Sequence, residues 1–164
     1  MNANLVVIVL AILSFQGANA QSSAEKEEVM KPIKMLFDAM QKGDSALLHR
    51  SFSRETTLAT VGKDKTGKPF IRHESSLDGF LKSVGSPHSE AYHEMIWDEA
   101  IMIDGNFAQV WTSYAFYLGK KFLHCGVDAF HLTKVDGSWK IFHLTDTRQT
   151  EGCKVPAKIS KQFE

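Results

Sequence analysis

The sequence carries no excess of either charge: 19 Lys and Arg stand against 19 Asp and Glu in 164 residues. It has no basic run and no interleaving of basic with aromatic residues. That excludes the electrostatic footprint of a nucleic-acid binder. Its principal apolar run, Leu5 to Leu13, is nine residues, and a bilayer span needs about 20. Cysteine is scarce: Cys125 and Cys153 are the only two, and their spacing matches no zinc or redox motif. Internal repeats, low-complexity segments and linkers are absent as well.

What is there begins with the first 20 residues. They carry no charged side chain, and the apolar run leads to Ala18-Asn19-Ala20 ahead of Gln21. This is the pattern of a secretory signal peptide, with cleavage expected between Ala20 and Gln21; a retained amphipathic anchor is the alternative. No Cys follows the site, so there is no lipid-attachment signal. Removing 20 of 164 residues leaves 144, the size of one ordinary domain, residues 21–164. A secreted or periplasmic location permits a Cys125–Cys153 disulfide. Closing that 28-residue loop would contribute about 3 to 4 kcal/mol on the chain-entropy model. The spacing alone leaves open whether the two thiols are joined.

Helical patterning comes first along the domain. Ser22 to Glu25 reads as a capping box, and Val29, Ile33, Leu36, Phe37 and Met40 follow at helical spacing up to Gly43. Pro32 inside the pattern predicts a kink or a later start. Asp44 caps a short helix, Ser45 to Phe52. Thr56 to Val61 and Phe70 to His73 read as a hairpin, and Leu77 to Val84 as a third helix. Four long strands complete the pattern: Glu90 to Ile103, Phe107 to Leu118, Lys121 to Lys134 and Ser138 to Thr147. Asp-Gly turns between them predict antiparallel neighbours. The tail from Thr150 is expected to be loosely held. Three helices on one face of a curved, mainly antiparallel sheet make an α+β roll.

Alternation assigns faces to the strands. His124, Asp128, Phe130 and Leu132 share one face of their strand; Cys125, Val127 and His131 share the other. Tyr114 faces with Val110 and Thr112, against Trp111. On the last strand, Phe142, Leu144 and Asp146 are expected to oppose Trp139, Ile141 and His143, unless a bulge shifts the parity. Both faces of these strands carry apolar residues, so the outer face needs a second cover such as another subunit. Carboxylates on apolar strands are either paired for structure or aimed into a pocket. Asp128 is the leading candidate for a pocket acid, with His124 as its partner, and Asp146 is expected to cap the tail or pair with Arg148. The histidines at 93, 124, 131 and 143 do not share one face, which argues against a metal site.

The element order, the Gly43-Asp44 junction, Trp111-Thr-Ser-Tyr114, the run from His124 to Phe130 and the Trp139-Lys-Ile…Asp146-Thr segment resemble the nuclear transport factor 2-like superfamily. Its SnoaL-like branches, and the bacterial family named putative lumazine-binding most of all, are similar over roughly Glu25 to Cys153. The resemblance implies a conical roll with a cavity between helices and sheet, and a homodimer formed through the outer sheet face. Asp128 aligns with the ketosteroid isomerase Asp that stays protonated in an apolar pocket and donates a hydrogen bond. The base and Tyr of that set would fall near Ala59 or Thr60 and near Leu36, and neither is present. Asp146 aligns with a pocket Asp of the epoxide hydrolases, whose second Asp and Arg are missing from Gln109 to Tyr117. Tyr114, His124 and Asp128 supply the residue types of a scytalone-dehydratase-like set.

The sequence thus predicts an exported binder of a small, mainly apolar molecule, lined by Asp128, Tyr114, Phe130, Asp146 and Trp97. A cavity enzyme of isomerase, dehydratase or hydrolase type using Asp128 with His124 or Tyr114 is the alternative. A non-catalytic dimeric interaction module is the third reading. No motif calls for a cofactor, for nucleic acid, or for a membrane once the signal is cleaved.

Overall fold

The computed structural model describes residues 22–164, so the signal peptide and its cleavage site lie outside the described residues. The chain runs α1 (Ser23–Lys42), α2 (Ser45–Ser51), β1 (Phe52–Lys63), β2 (Pro69–Glu74), α3 (Asp78–Gly85), β3 (Tyr92–Asp104), β4 (Phe107–Leu118), β5 (Lys121–Val135), β6 (Ser138–Thr147) and α4 (Ala157–Ser160). This is an α+β fold, and its six strands form one open, mixed sheet in the order β2-β1-β6-β5-β4-β3. Among the described residues no helix is long and apolar enough to cross a membrane.

Local chemistry sets the helix ends. Ser22 and Glu25 form a reciprocal capping box, and Gly43 closes α1 in the left-handed region at φ 67°, where a side chain would be strained. The helix starts at its cap and runs through Pro32, which sits on the buried face with Val29, Ile33 and Leu36. A later start was therefore the wrong alternative. Asp44 caps α2 by accepting from the Leu47 amide at 2.8 Å.

The β3–β4–β5–β6 meander is antiparallel throughout. Asp136 and Gly137, both at positive φ, make the tight β5–β6 turn in the manner of a two-residue hairpin loop. The hairpin β1–β2 is not separate from this meander. β1 lies parallel to β6, from Thr57 opposite His143 to Val61 opposite Thr147. That single parallel seam brings β1 and β2 to the cavity.

Three bulges adjust the faces within the meander, and a further register shift lies on β1 between Phe52 and Thr57. One lies between Trp97 and Ala100 on β3, where Asp98 takes φ 58°. One lies at Leu123 on β5. The third lies on β6, where His131 pairs with His143 and Leu132 with Ile141. The β6 bulge at Phe142 corrects the simple alternation. Trp139 and Ile141 are buried in the main core beside Leu144, while His143 and Phe142 ring-pack with His131 outside. The main core joins α1 and α2 to the inner sheet face through Val29, Ile33, Leu36, Leu48, Val110, Phe130, Leu132 and Ile141.

A second, smaller core lies on the outer face. Ala115, Tyr117 and Ile159 are buried there, with Met95, Trp97, Phe122, Val155 and Phe163 packed against them. The Phe163 ring stacks on Tyr117 at 3.8 Å. Cys125 and Cys153 are joined, with Cα atoms 6.0 Å apart, and the Cys125 and Gln149 backbones exchange two hydrogen bonds of 2.9 Å. The tail is therefore fastened to the sheet rather than loosely held. Apolar residues at its end had no visible partner in sequence; their partner is the outer sheet face itself. Elsewhere that face stays open, with Met102, Phe107 and Trp111 exposed.

Candidate functional site

A cavity of about 530 Å³ opens between α1, α3 and the inner face of the sheet. Leu36 and Met40 from α1, Phe80 from α3, and Leu58, Tyr92, Phe116, Leu118, Leu123 and Leu144 from the sheet make it mostly apolar. Its polar groups come from one zone of the sheet. Register explains the grouping: Arg72 faces Thr60, Thr60 faces Asp146, and Asp146 faces Asp128 on successive strands. Side chains directly opposite on one face lie within reach of each other. Glu94 enters from β3, beside Phe116 of β4.

Asp146 is the satisfied member of this group. It accepts from Thr60 Oγ1 at 2.7 Å and from Arg148 Nε. Pairing with Arg148 was one of its two expected roles. At the mouth, Arg72 and Glu74 stand 3.7 Å apart and largely in solvent.

Tyr114 spans three strands. It is buried, faces Gly126 across the β4–β5 pair, and donates its hydroxyl to the Thr147 carbonyl at 2.9 Å. The same hydroxyl lies 3.0 Å from His124 Nδ1. A Cβ at Gly126 would stand 1.9 Å from the Thr147 carbonyl oxygen, so only glycine fits there. Burial, then Arg148, holds the His124 imidazole down to about 4, opposed by Asp146. It is neutral at physiological pH and stacks on Phe116 with ring centroids 5.0 Å apart. Burial raises the Tyr114 hydroxyl above its usual range, with Glu94 adding to the effect.

Asp128 is different. It is 2% exposed, and its Oδ2 has no hydrogen-bond donor among the described residues. No Lys, Arg or His pairs with it or with Glu94 there. Burial raises Asp128 well above the ordinary carboxylate range, and the charge and hydrogen bond of Glu94 raise it further. Burial also raises Glu94, to about 7, while its bond to Asp128 works the other way. Two carboxyls that share a site, Asp128 buried and Glu94 half-buried, cannot both ionise cheaply, and one retained proton relieves both.

The structure places Asp128, His124, Tyr114 and Asp146 along one cavity wall. It does not place Trp97 there. The β3 bulge follows Trp97, whose ring packs on the outer face with Met95 and Phe122. Phe130 is fully buried in the main core, edge-on to Phe37 at 6.2 Å, and is not a lining residue. Both aromatics serve packing. Glu94, Arg148, Thr60 and Arg72 join the wall without having been anticipated as lining residues. Glu94 shares its strand face with Tyr92 and Ile96, and that was the available signal: an acid in an apolar row.

The roll and its lined cavity define a nuclear transport factor 2-like protein. Within that superfamily the chain belongs to the family described as "Putative lumazine-binding", which it matches over residues 24–144. No curated protein matches the sequence. Among solved structures, an NTF2-like protein from Shewanella baltica is similar at 18% identity, covering 81% of this chain and 100% of its own, with a TM-score of 0.59. An NTF2-like protein with a cystatin-like fold from Novosphingobium aromaticivorans shares 8% identity, covering 85% and 88%, with a TM-score of 0.64. A cystatin-like-fold protein from Nostoc punctiforme shares 10%, covering 79% and 95%, at 0.63. Such identities establish the fold and carry no activity across.

Proposed function

We propose that this is an exported protein that binds one small organic molecule in its cavity, with the apolar walls holding the body and Glu94 and Asp128 meeting a polar end. The observation that carries this reading is the unfilled cavity itself. Its 530 Å³ falls in the usual range for small-molecule sites, which are mostly apolar with a few convergent polar groups. An interaction module with a vestigial cavity would have packed that space with its own side chains. The family description supports a small ligand, and lumazine names one heterocycle of suitable size.

Export rests on the residues 1–20 pattern and agrees with a disulfide-bonded domain. A homodimer through the open part of the outer face is supported by exposed Trp111, Met102 and Phe107. The tail already covers the other part.

Native mass spectrometry of the purified protein, exposed to pools of small metabolites, tests the binding. Retention of a small adduct that is lost when Leu144→Trp fills the cavity is the expected result. Adducts indifferent to that substitution contradict it.

The two carboxyls in one cavity favour a catalytic second reading. Above about pH 7, a protonated Asp128 beside an ionised Glu94 would supply an acid and a base. His124 and Tyr114 are already bonded to each other, and Tyr114 to the Thr147 carbonyl, so they would position rather than transfer protons. Turnover of a bound ligand that disappears in Asp128→Asn, with binding retained, would establish that reading.

A further inference from the structure

The charges around the cavity do not balance locally. Asp146 is held by Arg148 on β6, and Glu74 faces Arg72 on β2 at the mouth. His124 on β5 is engaged with Tyr114 of β4. That leaves Glu94 of β3 and Asp128 of β5, two carboxyls in one cavity with no ion-pair partner among the described residues; Arg148, already paired to Asp146, acts on both only from a distance. Thr112, the cross-strand neighbour of Asp128, turns its hydroxyl to the Trp97 and Ser113 carbonyls instead. Asp128 Oδ2 is thus a buried acceptor without a donor among the described residues. Burying an acceptor this way is costly unless something supplies the missing bond.

We propose that the ligand is an organic cation, a protonated amine, amidine or guanidine on an apolar body, whose N–H groups bond the carboxyls of Glu94 and Asp128. The proposal rests on the reading of the cavity as a binding site and names the chemistry of its occupant. Three features fit such a ligand and no anion. Its donors satisfy the orphaned Oδ2. Its charge replaces the shared proton as the compensation for two acids in one site. Tyr92 and Phe116 flank Glu94 along and across the strands, and their rings touch at 5.5 Å between centroids, offering aromatic faces to a cation.

The proton balance follows. In the free protein the buried Asp128 keeps its proton, and below about pH 7 Glu94 keeps one too. When the cation enters, the carboxyl protons leave to solvent and both carboxylates accept N–H bonds from the ligand. Binding therefore releases the Asp128 proton and, in mildly acid solution where Glu94 is protonated as well, up to one more. Asp146, Arg148 and Tyr114 are the other groups that feel this change.

Calorimetric titration of the intact, disulfide-bonded protein with three probes of one shape decides the matter: naphthylethylamine, naphthylethanol and naphthylacetate. In two buffers of different ionisation heat at about pH 6, the amine should bind roughly tenfold tighter than the alcohol, with proton release. Glu94→Gln and Asp128→Asn should each abolish that preference and the release, and Glu94→Gln suffices if the other variant does not fold. Equal or tighter binding of the alcohol or the carboxylate overturns the cation and leaves the cavity a binding site. An amine preference that survives both substitutions overturns it too. Failure of all three probes, with no other adduct retained, removes the binding site and the proposal together.

Discussion

Tyr114 on β4 donates its hydroxyl to the carbonyl oxygen of Thr147 on β6, across the intervening strand, at 2.9 Å. Residue 126 of the middle strand, opposite Tyr114, is glycine, as the close approach of the Thr147 backbone requires. One bond therefore clamps three strands at the polar end of the cavity. It also fixes His124, whose Nδ1 lies 3.0 Å from the same hydroxyl.

Gly126→Ala should be the most damaging small substitution in the chain. Its Cβ would meet the Thr147 backbone oxygen at 1.9 Å, and backbone on both sides must move. A loss of about 3 kcal/mol in denaturant unfolding is expected, at the upper end for overpacking. Tyr114→Phe should cost less, about 1 to 2 kcal/mol, by orphaning the carbonyl.

The carboxyl pair makes stability fall with rising pH. Glu94 and Asp128 are raised in the folded protein, so the folded state binds more protons than the unfolded one. Their contribution is present below the unfolded carboxylate range, near pH 4, and is lost as pH rises through about 7, where Glu94 titrates. His124 acts oppositely: lowered to about 4, it adds stability as pH rises from there to its unfolded value near 6.5. Melting temperatures of Glu94→Gln should exceed wild type at about pH 8 and lose that margin at about pH 5. A margin that does not change with pH would contradict the shared proton.

Reduction should free the tail before it unfolds the domain. The disulfide fastens Cys153 to β5, while Ile159 and Phe163 hold by packing alone. Replacing both cysteines with serine should cost about 2 to 4 kcal/mol. Hydrogen exchange should then rise first in residues 149–164, with β4 and β5 still protected.

The exposed outer face should govern association. Trp111→Glu places a charge on the open apolar patch. Sedimentation should show a dimer for wild type and a monomer for the variant, with unchanged circular dichroism. A wild-type monomer at micromolar concentration would remove the dimer.

Much of this architecture was legible in the sequence. Phe107 to Leu118 and Ser138 to Thr147 are strands to the residue, because turn residues bracket continuous β-branched and aromatic runs. The Ser22–Glu25 box and Gly43 bound the first helix as read. Bulges were not legible. An extra residue at Phe142 has no composition of its own, yet it decides that Ile141 faces the core. The β1–β6 seam was also hidden, because a parallel pair joins segments about 90 residues apart with no local turn to announce it. Hence Thr60 and Arg72 were not anticipated at the cavity. Asp128 and Asp146 stood out as acids in apolar strands. Glu94 follows the same rule but sits near the charged Glu90, which masked it. Trp97 was misplaced for the reason that aromatics suit both faces of a strand.

Carboxyl-carbon NMR of Asp128, titrated in the free protein and again with saturating naphthylethylamine, tests the central claim most directly. The shared-proton cavity predicts that Asp128 in the free protein titrates far above an ordinary aspartate, and that the ligand drives it to the ionised form at neutral pH. An Asp128 that titrates as an exposed aspartate does, or that ignores the ligand, would contradict it.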